Sequence, residues 1–120
     1  MASPIKVYQY DKCGTCRKAL KFLDARKVPY VKVSIVDQPP GKAELREMVG
    51  KLGGDFRRLF NTSGVEYRRL GLSSKAAGMS AGEAVELLAG NGRLVKRPFV
   101  LAGKTALVGF REEEWGRAFA

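Results

Sequence analysis

Ile5-Lys6-Val7-Tyr8-Gln9-Tyr10-Asp11-Lys12-Cys13-Gly14-Thr15-Cys16-Arg17-Lys18-Ala19-Leu20-Lys21-Phe22-Leu23 is the stretch on which the fold turns. Its first six residues alternate and are rich in β-branched and aromatic side chains, the pattern of a half-buried strand. From Cys16 the period changes, and Cys16, Ala19, Leu20 and Leu23 share one face of a helix. The two cysteines of the chain sit where one pattern gives way to the other. A thiol at the first turn of a helix faces unpaired backbone N–H groups and the positive end of the macrodipole. Such surroundings favour thiolate, the reactive form, over thiol. Cys13 is therefore expected to be the exposed nucleophile and Cys16 the more buried resolving thiol, which displaces an adduct on Cys13 by forming an internal disulfide. Lys12 and Arg17 flank the pair with positive charge, and Asp11 opposes them.

Working outward, Arg26-Lys27 place cations at the negative end of the helix, and Val28-Pro29 stops it. Tyr30 to Ile35 alternates again as a strand, so the opening is a βαβ unit with parallel strands. Asp37-Gln38-Pro39-Pro40-Gly41 begins a helical section. Leu45, Met48, Val49 and Leu52 recur at helical spacing before Gly53-Gly54. Short helical pieces are expected over 55–60 and 65–70, separated by the turn Asn61-Thr62-Ser63-Gly64. Ser80-Ala81-Gly82-Glu83 matches a capping box ahead of a helix that ends at Gly90-Asn91-Gly92. Residues 99–101 and 105–108 flank a tight hairpin connection, and Glu112-Glu113-Glu114 opens a last helix that Trp115 and Phe119 can pack. The order βαβ, helical insert, ββα is a thioredoxin-like α/β plan: a mixed sheet with helices packed on it. It is expected as a single domain over 1–120, with the helical insertion at about 40–92.

In that plan the turn before the second β region faces the cysteine helix, and Arg97-Pro98 stands there. A proline opening a strand beside a thiol site is expected to follow a cis peptide bond. Arg97 would then lie near the thiols, able to hold an oxyanion by paired charge-assisted hydrogen bonds.

Composition narrows the chemistry. The chain has 120 residues, 45% of them hydrophobic, enough for a core without staples. No run approaches the ~18 apolar residues of a membrane span, and Met1-Ala2-Ser3-Pro4 does not read as a secretory signal. A reducing cytoplasm is the expected location. Lys and Arg number 22 against 12 Asp and Glu, a formal charge of +10 that suits anionic partners. Aromatic residues do not interleave with the basic runs, so direct nucleic-acid binding is not expected. Histidine is absent. That excludes Cys-His and Ser-His dyads, and two cysteines alone do not complete a four-ligand zinc site, so no metal is expected. Neither cysteine begins a Cys-x₅-Arg anion loop, because Ala19 and Phe22 stand where the arginine would be.

Taken together, Tyr10-Asp11-Lys12-Cys13-Gly14-Thr15-Cys16-Arg17-Lys18-Ala19, Asp37-Gln38-Pro39-Pro40, Leu59-Phe60-Asn61-Thr62, Tyr67-Arg68-Arg69-Leu70-Gly71-Leu72, Lys96-Arg97-Pro98 and Gly109-Phe110 carry a resemblance to a known family. The chain is similar to the glutaredoxin-linked arsenate reductases (ArsC) and the Spx/MgsR-type regulators over nearly its whole length. The reductase resemblance implies that Cys13 forms a thiol–arsenate adduct, resolved by glutathione and glutaredoxin. It also implies anion binding by residues around the thiol: Arg97, Gly14, Thr15, Arg17 and Asn61 are the candidates, with Pro98 structural. Gln9 stands where that pattern has a histidine, and Asn61 where it has its first arginine. Arg97 matches the arginine before proline, and the third arginine falls at Phe110 or beside it at Arg111. The second cysteine resembles the regulators, whose Cys-x-x-Cys pair is a redox switch and which bind the α subunit of RNA polymerase. The expected activity is that of an arsenate reductase-like thiol oxidoreductase acting on a small oxyanion or a disulfide. It needs no bound cofactor and takes electrons from glutathione and glutaredoxin or from thioredoxin. The alternative is an Spx-like redox-sensing transcriptional regulator.

Overall fold

The computed structural model describes residues 4–119; Met1-Ala2-Ser3, read above for a secretory signal, lie outside the described residues. The chain forms two compact units, one from residues 4–34 and 97–119, the other from Ile35–Lys96.

In the first unit, β1 (Ile5–Gln9) leads through a turn to α1 (Gly14–Ala25), and β2 (Tyr30–Ser34) follows. β1 and β2 are parallel, with Ile5 opposite Tyr30 and Gln9 opposite Ser34. After the second unit come β3 (Phe99–Ala102) and β4 (Thr105–Val108), an antiparallel hairpin closed by Gly103 at φ 58°. β3 also pairs antiparallel with β1, giving a mixed sheet of order β2-β1-β3-β4. β1 is thus an inner strand, and its expected alternation gives way to three consecutive buried residues, Val7, Tyr8 and Gln9. Successive side chains of a strand point to opposite faces of the sheet, so burial of three in a row means that both faces are covered at this end of β1.

The end of α1 is set by backbone geometry. Lys27 takes the left-handed φ of 58°, its N–H donates to Asp24 O (3.1 Å), and Val28 N–H donates to Leu23 O (3.0 Å). This is the paired bonding of a Schellman stop, here made without glycine. α6 (Glu112–Ala118) carries three glutamates in its first turn, where the macrodipole favours them. α1 and α6 pack with the sheet through Val7, Ala19, Leu23, Val100, Leu107 and Trp115. Trp115 is fully buried, meets the rings of Phe22, Phe110 and Phe119, and donates its indole N–H to Gly109 O at 3.1 Å.

The second unit is helical. α2 (Lys42–Lys51), α3 (Val65–Arg69), α4 (Leu72–Lys75) and α5 (Ala81–Gly90) are joined by 3₁₀ turns over Phe56–Leu59, Ala76–Gly78 and Gly92–Leu94. α2 and α5 pack together, burying Leu45, Met48, Ala84, Val85 and Leu88, with Lys42 Nζ 2.9 Å from Glu86 outside. The Ser80 capping box is formed: Glu83 N–H donates to Ser80 Oγ (3.1 Å), and Ser80 N–H donates to Glu83 Oε1 (3.3 Å). The two ends of this unit meet. Gly92 lies against the Ile35 carbonyl so closely that a Cβ there would overlap it, and Phe60 and Val95 form an isolated antiparallel bridge.

Replacing Trp115 by Phe removes the indole N–H and shortens a fully buried ring, so it leaves the Gly109 carbonyl unpaired and opens a cavity among Phe22, Phe110 and Phe119. The unpaired carbonyl alone costs about 1–3 kcal/mol and the cavity adds to it, so the loss should exceed that of the hydrogen bond, read as a lower urea midpoint at unchanged slope.

Candidate functional site

The site grows out of the end of β1. As the chain leaves the strand, Cys13 N–H donates back to Tyr10 O at 3.0 Å, closing a turn through Asp11 and Lys12. Cys13 keeps an extended backbone (φ −99°, ψ 117°) and is the N-cap residue of α1, its carbonyl accepting the first helical bond from Arg17 N–H at 3.1 Å. Gly14 and Thr15 are the first two residues of the helix, whose backbone N–H groups have no intrahelical partner. A Cβ on Gly14 would meet nothing within 4 Å, so the approach to Cys13 is open there.

One helical turn then divides the two thiols. Cys13 is half-exposed, whereas Cys16 is fully buried on the core face of α1; both are free thiols. Burial works against the Cys13 thiolate, but the backbone and the thiol of Cys16 and the Arg97 guanidinium outweigh it and bring its pKa below the usual thiol value. The Cys13 side chain makes no capping hydrogen bond of ordinary geometry; the Cys16 backbone nevertheless favours a negative sulfur there. Burial drives Cys16 the other way, and together with the neighbouring Cys13 it pushes that thiol up to about 12, against an opposing backbone contribution from Tyr10.

Arg97 and the buried Pro98, joined by a cis peptide bond, precede β3, the strand paired with β1. The Arg97 guanidinium lies over the Tyr10 ring, its Cζ 5.0 Å from the centroid, and its Nη1 is buried with no hydrogen-bond partner. Arg17 is directed elsewhere, its Nε donating to Asp11 O at 3.2 Å. Gln9, at the position of the expected histidine, is buried and donates from Nε2 to Asp11 Oδ1 at 3.1 Å.

The first unit therefore gathers Cys13, Cys16, Gly14, Thr15, Arg97 and Pro98. Asn61 belongs to the helical unit. Its N–H donates to Leu94 O (2.7 Å), its carbonyl accepts from Gly64 N–H (3.0 Å), and its side chain lies against Gly64. Phe110 packs edge-on against Phe22 and Trp115, and Arg111 is the exposed N-cap residue of α6. A cavity of about 570 Å³ lined by Lys18, Lys21, Phe22, Ala25, Arg26, Phe110 and Glu112 includes neither cysteine. Among the described residues no cluster of His, Cys, Asp and Glu could hold a metal ion, and no helix is long and apolar enough to cross a membrane. Sequence reasoning quoted Tyr10 only as part of a motif and missed its contact with Arg97. Two residues so far apart in the chain leave no periodic signal of such a pair.

A mixed four-stranded sheet, a cysteine at the start of the helix after its first strand and an arginine–proline pair before the strand beside it define a thioredoxin-like protein with a thiol site. The ArsC family model matches residues 8–118, and the chain belongs to that family. It is 44% identical over 113 residues to the protein YusI of Bacillus subtilis (strain 168), covering 94% of this chain and 96% of that one. It is 31% identical to an arsenate reductase of Neisseria meningitidis, covering 88% of this chain and 89% of the relative. With the global transcriptional regulator Spx 1 of Lactococcus lactis it shares 27% identity, over 92% of this chain and 84% of the relative. The crystal structure of an ArsC-family-related protein from Bacteroides fragilis superposes with a TM-score of 0.89 at 43% identity, covering 96% and 98% of the two chains.

The two thiols should separate by pH. Alkylation of Cys13 by iodoacetamide is expected to rise and level off below the pH at which an unperturbed thiol ionises, because the rate follows the thiolate fraction. Cys16 should stay unmodified through the range in which an ordinary thiol ionises, because burial pushes its thiol up and shields it. Cys16→Ala withdraws a thiol that favours the Cys13 thiolate, so it should displace the Cys13 midpoint upward; mass spectrometry of the labelled peptide reads both.

Proposed function

We propose that this ArsC-family chain is a thiol–disulfide oxidoreductase of the cytoplasm, with Cys13 as nucleophile and Cys16 as resolving thiol. The observation that carries this reading is the division of the pair: an accessible thiol lowered beside Arg97, and a buried one raised to about 12 within the same helical turn. A nucleophile must be ionised at working pH, whereas a resolving thiol is best kept protonated until an adduct forms.

With a disulfide substrate, the Cys13 thiolate attacks one sulfur, a mixed disulfide forms and the other sulfur leaves as thiolate. Cys16, losing its proton, attacks Cys13 Sγ. The second substrate thiol leaves, and Cys13–Cys16 becomes a disulfide, two electrons having passed to substrate. With arsenate, Cys13 replaces an oxygen on As(V), which leaves as water. Attack of Cys16 on Cys13 Sγ then breaks the S–As bond, and the electron pair remains on arsenic as As(III). In both cases an external dithiol or glutathione, working with thioredoxin or glutaredoxin, reduces the internal disulfide. The buried Arg97 Nη1 without a partner supports an anionic substrate oxygen at that place. The first-turn N–H groups of Gly14 and Thr15 add to that preference for negative charge. Cysteine supplies the bond-forming group, so no resident cofactor is required.

A second reading rests on the Cys-x-x-Cys pair and the Spx relatives: a redox-sensing regulator that docks on the RNA polymerase α subunit, its basic surface meeting an acidic one. NADPH consumption in an assay coupled to glutathione and glutaredoxin, or to thioredoxin, separates the two. Turnover of arsenate or of a small disulfide is expected, falling to background in Cys13→Ser, while Cys16→Ser accumulates the mixed disulfide. If neither substrate is turned over and the α subunit is retained by the oxidised protein, the regulator reading replaces the enzymatic one.

A further inference from the structure

We propose that Tyr10 is the positioning residue for Arg97, its ring acting as the platform that holds the guanidinium beside Cys13. The proposal deepens the thiol-oxidoreductase reading and rests on it.

An arginine side chain has many rotamers and needs an anchor to be kept in one of them. Proteins usually supply a carboxylate, but Arg97 forms no ion pair among the described residues, and its buried Nη1 has no hydrogen-bond partner. Its backbone is fixed by the buried Pro98 that follows. The side chain is fixed by the Tyr10 ring, with Cζ 5.0 Å from the centroid, inside the ~6 Å reach of a cation–π contact. A ring anchors a guanidinium without neutralising it. A carboxylate at the same place would compete with the thiolate for the same charge.

The ring is tied to the thiol turn at its own root. Tyr10 follows the last residue of β1, and its carbonyl accepts the Cys13 N–H that closes the turn. The residue that orients Arg97 is therefore the one that sets where Cys13 begins the helix. The other ionisable groups around Cys13 are Cys16 on α1, the exposed Asp11 and Lys12 of the turn, and Arg17, whose Nε is engaged by the Asp11 carbonyl. The contact uses the face of the ring, so the role belongs to the aromatic ring and not to the hydroxyl.

The test is the pH dependence of Cys13 alkylation in the full-length reduced protein, for Tyr10→Leu, Tyr10→Phe, Arg97→Met and the Tyr10→Leu/Arg97→Met double variant. Tyr10→Leu is expected to raise the midpoint by about half a pH unit, roughly threefold less thiolate at a fixed pH below it. Arg97→Met should raise it at least as far, and Tyr10→Leu should add nothing on that background. Tyr10→Phe should match the wild type. Should Tyr10→Leu fail to fold by circular dichroism, Tyr10→Met gives the same comparison. An unmoved midpoint in Tyr10→Leu, an equal displacement in both backgrounds, or failure of Phe to restore the wild-type profile overturns the proposal and leaves the oxidoreductase reading standing. An unmoved midpoint in Arg97→Met removes Arg97 as the partner of the thiolate and overturns the positioning role with it. Loss of turnover in Cys13→Ser is independent of all four variants, so the two readings fail separately.

Discussion

A single helical turn governs the chemistry of this chain. Two residues separate the N-cap position from the first core-facing position of α1, and a cysteine stands at each. The same side chain thereby meets two dielectric environments. Outside, the thiol has solvent and a guanidinium within reach; inside, it has neither room nor water, and its charged form is expelled. Moving the pair by one residue along the sequence would rotate both thiols off these positions and abolish the difference. The spacing carries meaning because α1 starts where it does, and α1 starts there because the Tyr10–Cys13 turn ends β1 without an intervening residue to spare.

The charge that completes the site comes from a distant part of the chain, and the sheet brings it there. β1 is an inner strand, parallel to β2 on one side and antiparallel to β3 on the other. The first pairing requires the α1 crossover; the second brings the start of β3, and with it Arg97 and Pro98, to the end of β1. The Trp115 cluster holds α1 and α6 on this sheet through Ala19 and Leu23, which share the core face of α1 with Cys16, so core packing and thiol chemistry depend on one helix. Core variants are then expected to affect reactivity mainly through the placement of α1.

Local signals in the sequence were strong where an element is decided locally. The change of period at Cys16, the Ser80–Glu83 box, the Gly103 hairpin and the acidic start of α6 each depend on a few adjacent residues, and each corresponds to an element of the structure. Less was legible where tertiary surroundings decide. β1 reads as half-buried, yet its last three residues are buried on both faces of the sheet; residues 72–78 carry little periodicity, yet form α4 and a 3₁₀ turn. At the site, the cysteines and Arg97 were visible because their residue types announce chemistry. The contacts of Tyr10 and Gln9 were not, since an aromatic face under a guanidinium and a buried amide on Asp11 are relations in space with no spacing of their own.

The close approach of Gly92 to the Ile35 carbonyl has a consequence for how such chains can diverge. It joins the first residue of the helical unit to a turn near its last, and the Phe60–Val95 bridge reinforces the join. The unit is thus a loop of chain with a backbone knot at its neck, drawn tight at the one residue type that leaves enough room. Residues gained or lost far from that neck, between α3 and α4 or between α4 and α5, cost mainly the slowly growing entropy of a longer loop. A side chain at position 92 would instead spread the neck itself. Length variation among relatives should gather in the connections between the helices and spare the neck.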